Sequence, residues 1–187
     1  MKINKQIFFD QYRTKLDKDK KLTQKEVDAI GLFIDMFERV PEYFTIPQWA
    51  YVFATVFHET AHNFEPVREA FQLSENWRER NLRYFPYYGR GYVQITWLRN
   101  YKLFADLMGI DFVKNPDWIM QPEWSFQILI YGFKHGSFTG KKISDYINPN
   151  KKNYKLARYC INGADKRDLI ASYAVLFEGV LEMAMEG

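Results

Sequence analysis

Apolar residues recur at helical spacing over most of this chain, and capping or turn residues separate one run from the next. An apolar side chain at every third or fourth position predicts an amphipathic helix, and Pro, Gly, Thr or Asn at its edge indicates where it begins or ends. The pattern predicts helices over residues 3–16, 23–40, 45–60, 100–108, 124–134, 143–147, 154–161 and 165–181.

Two central regions lack this spacing. Residues 62–86 mix charged and aromatic side chains without a period, which is typical of a functional loop region. Residues 87–97 join a glycine turn to a short alternation of apolar and polar positions, which predicts part of a small sheet. Residues 1–187 contain no repeat, low-complexity tract or linker, so they are predicted to form a single, mainly α-helical domain with a small central β element.

One acidic residue lies at the end of the most apolar predicted helix. Successive helical residues are about 100° apart, so Glu59 falls roughly 20° beyond the apolar stripe, beside Val52, whereas His58 and His62 point away from it. Partial burial there favours the neutral carboxyl, which is the form that a general acid of glycoside hydrolysis needs. A plain surface Glu at a helix end fits the same spacing about equally well.

The same segment also matches a metal motif. His58-Glu59-x-x-His62 is the zinc-protease signature, in which two imidazoles bind the metal and the Glu transfers protons. A further ligand would have to come from a residue such as Glu79, and the helix is expected to end near Thr60, which would take His62 out of register. We therefore expect no bound metal and no cofactor, and keep a zinc protease as an alternative.

The composition narrows the classes of function. A net charge of +3 and a pI near 8.8 are too weakly basic to indicate nucleic acid, but they are compatible with an anionic polymer such as a cell wall. An aromatic share of 18% suits a packed core and also a sugar-binding cleft lined by ring faces.

Cysteine usage and hydropathy bear on the compartment. The single cysteine, Cys160, excludes an internal disulfide bond and is consistent with synthesis in a reducing cytoplasm. No apolar run approaches the roughly 18 residues of a membrane span, so no stable membrane insertion is expected. The start Met-Lys-Ile-Asn-Lys-Gln lacks the apolar core of a signal peptide, so we expect a cytoplasmic product that another factor must release if its substrate lies outside the membrane.

Five segments in one order resemble the family 19 chitinases and related phage endolysins of the lysozyme-like superfamily. Two of these segments, PVREA and FTGKKISDY, resemble the endolysins more than the plant chitinases. The resemblance covers roughly residues 45–180, and its segments are 57–61 (FHETA), 66–70 (PVREA), 88–97 (YGRGYVQITW) with Asn100-Tyr101, 138–146 (FTGKKISDY) and 161–163 (ING).

The resemblance implies a lysozyme-like fold and cleavage of β-1,4 links between N-acetylated amino sugars with inversion. It makes Glu59 the general acid, and inversion requires a second carboxylate about 6.5 to 9.5 Å away that activates a water. That role falls to Glu69, which matches the endolysin Val-Arg-Glu segment, while Glu65, Glu75 and Glu79 remain alternatives.

The resemblance also implies a set of substrate contacts. Thr96 would hold the water through its hydroxyl, and the amides of Gln94 and Asn100 would bind acetamido groups. Asn162 matches a substrate-contacting Asn, although an Asn-Gly helix stop accounts for it about as well.

Two further residues have open roles. Arg68 could stabilise ionised Glu69 or form a plain surface ion pair, and Tyr88 could stack on a sugar or only pack. Arg99 replaces an aromatic residue that is common in the plant enzymes, which counts against chitin.

The expected protein is a peptidoglycan-degrading glycosidase of the endolysin type. We expect a monomer with no separate wall-binding domain that acts on glycan strands after release in a phage-infected bacterium. Chitin is the alternative substrate, and a non-catalytic wall-binding module is the alternative to an enzyme.

Overall fold

Most of the chain is helical, as the apolar periodicity predicts. The computed structural model describes residues 2–17 and 21–186. Within these residues the α-helices are α1 (Lys5–Lys15), α2 (Gln24–Arg39), α3 (Ile46–Glu59), α4 (Glu75–Asn81), α5 (Leu98–Met108), α6 (Pro122–His135), α7 (Tyr154–Ala157) and α8 (Arg167–Ala184).

The strands within the described residues are short and form two-stranded pairs, and an isolated bridge joins Arg90 to Ile95. Single 3-10 turns lie at Pro41–Tyr43, Pro116–Met120, Ile143–Asp145 and Arg158–Cys160. The strands are β1 (Lys2–Ile3), β2 (Val67–Arg68), β3 (Arg90–Gly91), β4 (Ile147–Asn148), β5 (Lys151–Lys152) and β6 (Met185–Glu186), and the antiparallel pairs are β1 with β6, β2 with β3, and β4 with β5.

The predicted capping signals hold for α2 and α5 but not for the last helix, and residues 143–147, predicted as a helix, form only the 3-10 turn Ile143–Asp145 before β4. Thr23 and Glu26 form the capping box of α2, and Gly109 ends α5 in the left-handed conformation with φ of 67°. The prediction that Asp165 caps the last helix is wrong, because Lys166 adopts φ of 57° at the cap position and leaves Asp165 outside the helix. The carbonyl of Asp165 instead accepts a hydrogen bond from Arg158.

The region predicted to be irregular contains one helix. Ser74 accepts a hydrogen bond from the Trp77 amide and so begins α4, which sequence periodicity missed. Only Arg78 of this helix is buried, and a helix without an apolar stripe gives no periodic signal.

The chain divides into two compact units. One contains residues 1–64 and 130–187, and the other contains residues 65–129. A single domain over residues 1–187 stays a prediction.

The first unit is built around α3, whose middle is buried on every side. Helix α3 packs along α8, and aromatic rings fill the space around Phe53. The ring centroid of Phe53 lies 4.9 Å from that of Phe33, in an edge-on arrangement, and 5.6 Å from that of Phe177, in a tilted one. This packing fixes the position of the last turn of α3. No helix within the described ranges is long and apolar enough to span a membrane.

The second unit is organised by a buried arginine. Arg90 lies in β3, and its guanidinium donates to Asp117, to the Pro86 carbonyl and to the Tyr101 hydroxyl at 2.7 to 2.9 Å. The same guanidinium lies 3.6 Å from the ring centroid of Tyr88. These contacts join the glycine turn to the rest of the unit and explain a charged side chain that is only 3% exposed.

Candidate active site

Glu59 is the last residue of α3 and is held by a buried arginine. Its side chain is 18% exposed, whereas that of Arg158 is 3% exposed, and Nη1 of Arg158 donates to Oε1 of Glu59 at 2.6 Å. Arg158 also donates from Nε to the Asp165 carbonyl at 3.1 Å. The prediction of a half-buried Glu59 is confirmed, but apolar neighbours are not its only surroundings, because the Arg158 guanidinium contacts it directly.

The backbone reverses directly after Glu59. Ala61, His62 and Phe64 all adopt left-handed conformations, with φ of 51°, 78° and 56°. The Thr60 hydroxyl stabilises this turn by donating to the Val56 carbonyl at 2.7 Å and accepting from the Phe64 amide at 3.0 Å. This reversal ends the helix beside the carboxyl and fixes the direction in which the chain leaves it.

The reversal also takes His62 out of the helix that carries His58. His62 lies outside the helix, as expected, and its ring stacks on Phe57 with centroids 3.9 Å apart and planes 8° apart. Burial, followed by the charge of His58, lowers the pKa of His62 below its ordinary value of 6.5. Among residues 2–17 and 21–186, no group of three or more His, Cys, Asp or Glu side chains could hold a metal ion.

Glu69 is held in the second unit by three hydrogen bonds. The Tyr84 hydroxyl donates to Oε1 at 2.5 Å and the Gly89 amide donates to Oε2 at 2.9 Å, while the Glu69 amide donates to the Gly89 carbonyl at 2.7 Å. The hydrogen bond to Glu69, together with burial, raises the pKa of Tyr84 to about 12. Glu69 is therefore a fixed carboxylate with a directed donor on each oxygen.

Gly89 permits a close approach of two functional side chains. A Cβ atom at this position would lie 2.6 Å from Oε1 of Gln94 and 3.2 Å from Oε2 of Glu69. Both side chains therefore lie against the same stretch of backbone, which only glycine leaves open.

Gln94, Thr96 and Asn100 form one hydrogen-bonded segment beside this glycine. Gln94 adopts φ of 54° and donates from Nε2 to the Val67 carbonyl at 2.8 Å. The Thr96 hydroxyl donates to the Gln94 carbonyl at 2.9 Å, and Nδ2 of Asn100 donates to the Thr96 carbonyl at 2.7 Å. The structure brings these residues together with Glu69, and their contacts with substrate stay predictions.

The structure bears on the two open roles, those of Arg68 and Tyr88. Arg68 does not stabilise Glu69, because its Nη1 donates to Asp117 at 2.5 Å and to the Tyr88 hydroxyl at 3.0 Å. The side chain of Tyr88 is fully buried with Arg90 over its ring, so this ring packs and cannot stack on a sugar. Arg68 therefore forms the ion pair that was its alternative role, and Tyr88 packs. Contact of Arg68 with substrate stays a prediction.

The alternative second carboxylates have different surroundings. Glu75 accepts from the Tyr88 hydroxyl and pairs with Arg78 at 3.2 Å, and Glu79 is exposed on α4. Glu65 is half-buried near the start of the second unit. Of the four carboxylates, Glu69 is the one whose side chain lies against the backbone of Gly89, as the side chain of Gln94 also does.

Asn162 lies in the first unit, four residues after Arg158. Its amide nitrogen donates to the Arg158 carbonyl at 3.0 Å, and its Oδ1 accepts from the Gly163 amide at 2.8 Å. The side chain is exposed and lines a cavity. This geometry fits the helix-stop role, and contact of Asn162 with substrate stays a prediction.

The sequence analysis did not single out three residues that contact Glu59 or Glu69, namely Arg158, Tyr84 and Gly89. Arg158 gave one usable signal, since it is a charge within an otherwise apolar run, as buried ion-pair partners are. Tyr84 and Gly89 gave none, because a single Tyr in an aromatic-rich loop and a single Gly in a turn are both common.

Comparison with known proteins gives partial sequence matches. No profile of a known protein family matches the chain. It is 45% identical to rice Chitinase 11 over 47 residues, which are 25% of this chain and 18% of that protein. It is 34% identical to rice Chitinase 5 over 86 residues, which are 42% of this chain and 30% of that protein. The matched segments thus span less than a third of either plant protein.

Solved structures match over nearly the whole chain. Chitinase C from Streptomyces griseus HUT6037 superposes with a TM-score of 0.57 at 17% identity, covering 98% of this chain and 79% of that one. A mutant of chitinase C superposes with a TM-score of 0.58 at 16% identity, covering 98% of this chain and 95% of that one. A bacterial family 19 chitinase superposes with a TM-score of 0.53 at 17% identity, covering 99% of this chain and 97% of that one. The chain therefore has the mainly α-helical, lysozyme-like fold of the family 19 chitinases.

Proposed function

We propose that this protein is a glycoside hydrolase that cleaves β-1,4 links in polymers of N-acetylated amino sugars. The observation that carries the proposal is Glu59 at the end of α3, half-buried and held by the buried Arg158 in a chain with this fold. A carboxyl that is shielded and oriented but not enclosed is the arrangement that a general acid needs.

In the proposed reaction, Glu59 gives its proton to the glycosidic oxygen as the bond from that oxygen to the anomeric carbon breaks. Arg158 donates to Oε1 only, and no described residue donates to Oε2, so Oε2 is open to carry the proton. The guanidinium then stabilises the carboxylate that proton transfer leaves behind.

A water attacks the anomeric carbon from the opposite face and gives one proton to Glu69. The hydrogen bonds from Tyr84 and Gly89 orient the Glu69 carboxylate for this step. Thr96 is proposed to hold the attacking water, and Gln94 and Asn100 to contact acetamido groups. The anomeric configuration is inverted because water enters opposite to the leaving group.

The test is digestion of purified polymer by the wild-type protein and by Glu59→Gln. The exposed Glu182→Gln on α8 is the matched control. We expect a loss of activity of about 100-fold to 10,000-fold for Glu59→Gln and none for the control. Equal activity of Glu59→Gln and wild type would refute the assignment of the acid, and a wild-type protein that binds polymer without cleaving it would refute an enzyme.

We propose peptidoglycan as the polymer. Support comes from segments 66–70 and 138–146, which resemble phage endolysins, and from Arg99 in place of an aromatic residue. The same resemblance supports a monomeric protein that is made in the cytoplasm of a phage-infected bacterium and reaches the wall after release.

Chitin is the second candidate because the similar proteins and structures are named as chitinases. Mass spectrometry of digests of both polymers separates the two, since the new reducing-end sugar identifies the bond that was cut. Release of free peptides from intact glycan strands would contradict a glycosidase.

A further inference from the structure

The buried side chain of α4 is an arginine that donates to the backbone at Glu69. The side chain of Arg78 is only 5% exposed. Its Nε donates to the Glu69 carbonyl and its Nη2 donates to the Ala70 carbonyl, both at 2.8 Å. A guanidinium presents its donors in one rigid plane, so this side chain fixes two successive carbonyl groups relative to each other.

Arg78 is itself held in place from two sides. Its Nη1 donates to Oε2 of Glu75 at 3.2 Å, and its guanidinium carbon lies 5.4 Å from the ring centroid of the buried Tyr88. The Tyr88 hydroxyl donates to the same Glu75 oxygen at 2.9 Å. The buried cation is therefore paired, packed and oriented.

The contacts of Arg78 lie where the backbone leaves the β2–β3 pair. Strand β2 ends at Arg68, and Ala70 adopts a left-handed conformation with φ of 50°. Alanine is disfavoured in that conformation, so the turn needs contacts that hold it. The carbonyls of Glu69 and Ala70 flank the α carbon of Ala70, and the two hydrogen bonds from Arg78 therefore hold both of its backbone dihedral angles.

With Arg78 included, every hydrogen-bonding group of Glu69 has a partner. The amide donates to the Gly89 carbonyl, and the two carboxylate oxygens accept from the Tyr84 hydroxyl and the Gly89 amide. The carbonyl accepts from Arg78. A residue that only joined β2 to α4 would need the backbone contacts but not the two on its carboxylate. Both the backbone and the carboxylate of Glu69 are fixed.

We propose that Arg78 is a positioning residue for the reaction. By holding the turn at Ala70, it fixes the backbone from which the Glu69 carboxylate reaches the attacking water. The proposal rests on the proposed function and deepens it, because it concerns the residue assigned there as the base. Arg78 is buried and contacts no substrate, so it acts on the rate of the reaction and not on binding.

Two variants at position 78 and one control test this proposal. Arg78→Lys keeps the charge but lacks the fork of donors, and Arg78→Gln keeps one planar amide without the buried charge. Arg80→Lys, which changes an exposed arginine of the same helix, is the matched control. Urea unfolding monitored by circular dichroism identifies the variants that fold, and the folded ones are compared.

The first measurement is kcat and KM on soluble fragments of the polymer that wild type cleaves. We expect each folded Arg78 variant to lower kcat by about 10-fold to 100-fold, because misplacement of a reacting group by about 1 Å can cost about 100-fold in rate. KM should stay within about twofold of wild type, and Arg80→Lys should match wild type in both constants. An effect on KM that exceeds the effect on kcat would overturn the proposal.

A double-mutant cycle tests whether Arg78 acts through Glu69. In Glu69→Gln the base is already lost, so adding Arg78→Lys, or Arg78→Gln if only that variant folds, should change the residual kcat by less than about twofold. The same fractional loss of kcat with and without Glu69 would show that Arg78 acts by another route and would overturn the proposal.

The Gly89 amide gives a measurement that needs no activity. It donates to Oε2 of Glu69 at 2.9 Å, so the NMR chemical shift of its proton reports on the carboxylate. Glu69→Gln gives the direction in which this shift moves when the carboxylate is lost. We expect the folded Arg78 variants to move the shift in that direction and Arg80→Lys to leave it unchanged.

An unchanged Gly89 shift in the folded Arg78 variants would overturn the proposal. Failure of both Arg78 variants to fold would also overturn it, because Arg78 would then be required by the fold as a whole.

These outcomes are distinguishable from failure of the proposed function. If wild type cleaves neither polymer, or if Glu69→Gln keeps full activity, the proposed function or its base assignment fails, while the Gly89 shift still decides whether Arg78 holds the Glu69 carboxylate. If Glu69→Gln is inactive and a folded Arg78 variant has the kcat of wild type, only the role of Arg78 fails.

Discussion

Arg158 donates a hydrogen bond to Glu59 across 99 residues of sequence, from a position with almost no solvent exposure to a carboxyl at the end of α3. A buried cation that has a half-buried carboxylate and a backbone carbonyl as acceptors is well paired, whereas either charge alone would be costly. The pair therefore links the orientation of Glu59 to the stability of the first unit.

Arg158→Ala should lose both stability and activity. It leaves the Glu59 carboxylate and the Asp165 carbonyl without their donor, so we expect the free energy of unfolding to fall by about 3 to 5 kcal/mol. Urea unfolding monitored by circular dichroism measures this. A double-mutant cycle with Glu59→Gln should show coupling of about 1 to 3 kcal/mol, and strict additivity would contradict the pairing. Arg158→Lys keeps the charge without the fork of donors and should recover only part of the stability.

The pKa of Tyr84 should depend on the Glu69 carboxylate. Its pKa is raised to about 12 because its hydroxyl donates to the carboxylate and because it is partly buried, so it remains protonated, and able to donate, up to about that pH. In Glu69→Gln this pKa should move down towards the ordinary value of 10, as read from the ultraviolet difference spectrum. Tyr84→Phe identifies the signal, and an unchanged titration in Glu69→Gln would show that the two groups do not interact.

Gly89→Ala should reduce activity while the protein still folds. The new Cβ would lie within 3.2 Å of both Gln94 and Glu69 and would displace their side chains by a few tenths of an ångström or more. Misplacement of reacting groups by about 1 Å can cost about 100-fold in rate, so we expect a smaller but measurable loss. Gly163→Ala, where a Cβ meets nothing within 4 Å, is the control for initial rates, and equal rates for both variants would contradict the close approach.

Asp117 should make the stability of the protein sensitive to acid. Burial acts to raise the pKa of this carboxyl, but the opposing contacts with Arg68 and Arg90 outweigh it and lower the pKa below 3.8. A carboxyl with a lowered pKa in the folded protein contributes stability above its ordinary range, and that stability is lost as the pH falls through the lowered value.

Asp117→Asn should therefore unfold more easily at neutral pH and show a weaker change in stability below about pH 4. Thermal unfolding between acidic and neutral pH measures both effects. Asp106→Asn, an exposed carboxylate on α5, should behave like wild type, and an acid response of Asp117→Asn equal to that of wild type would refute the role of these contacts.

Chelators should not abolish the proposed activity. A zinc pair at i and i+4 needs both imidazoles on one helical face, and His62 lies beyond the end of α3 with its ring against Phe57. Activity should survive dialysis against a chelator, and His62→Ala should keep it. Loss of activity that added zinc restores would support the protease-type site instead.

Local signals predicted the helices well because each is encoded within its own segment. The capping box of α2 and the glycine end of α5 depend on residues a few positions apart, and both formed as expected. Helix α4 was missed because its buried face is one arginine, and the Asp165 cap failed because Lys166 took the left-handed cap position.

The site was only partly predictable because its partners are distant in sequence. A helical wheel places Glu59 at the edge of an apolar stripe, yet nothing near it in sequence indicates Arg158. The sequence left Arg68 either beside Glu69 or in a surface ion pair and could not name its partner Asp117, which is 49 residues away. Such pairings depend on tertiary packing, which no local pattern encodes.

The backbone reversal after α3 sets a limit on how far this protein could be engineered for heat resistance. Each left-handed alanine, histidine or phenylalanine at positions 61, 62 and 64 costs roughly 1 to 2 kcal/mol that glycine would return. Glycine at the same places would also give the peptide units beside Glu59 more freedom to move. Glycine at these positions would therefore raise the stability of the fold and loosen the orientation of the Glu59 carboxyl. A thermostable variant is better sought by substitutions in the aromatic core.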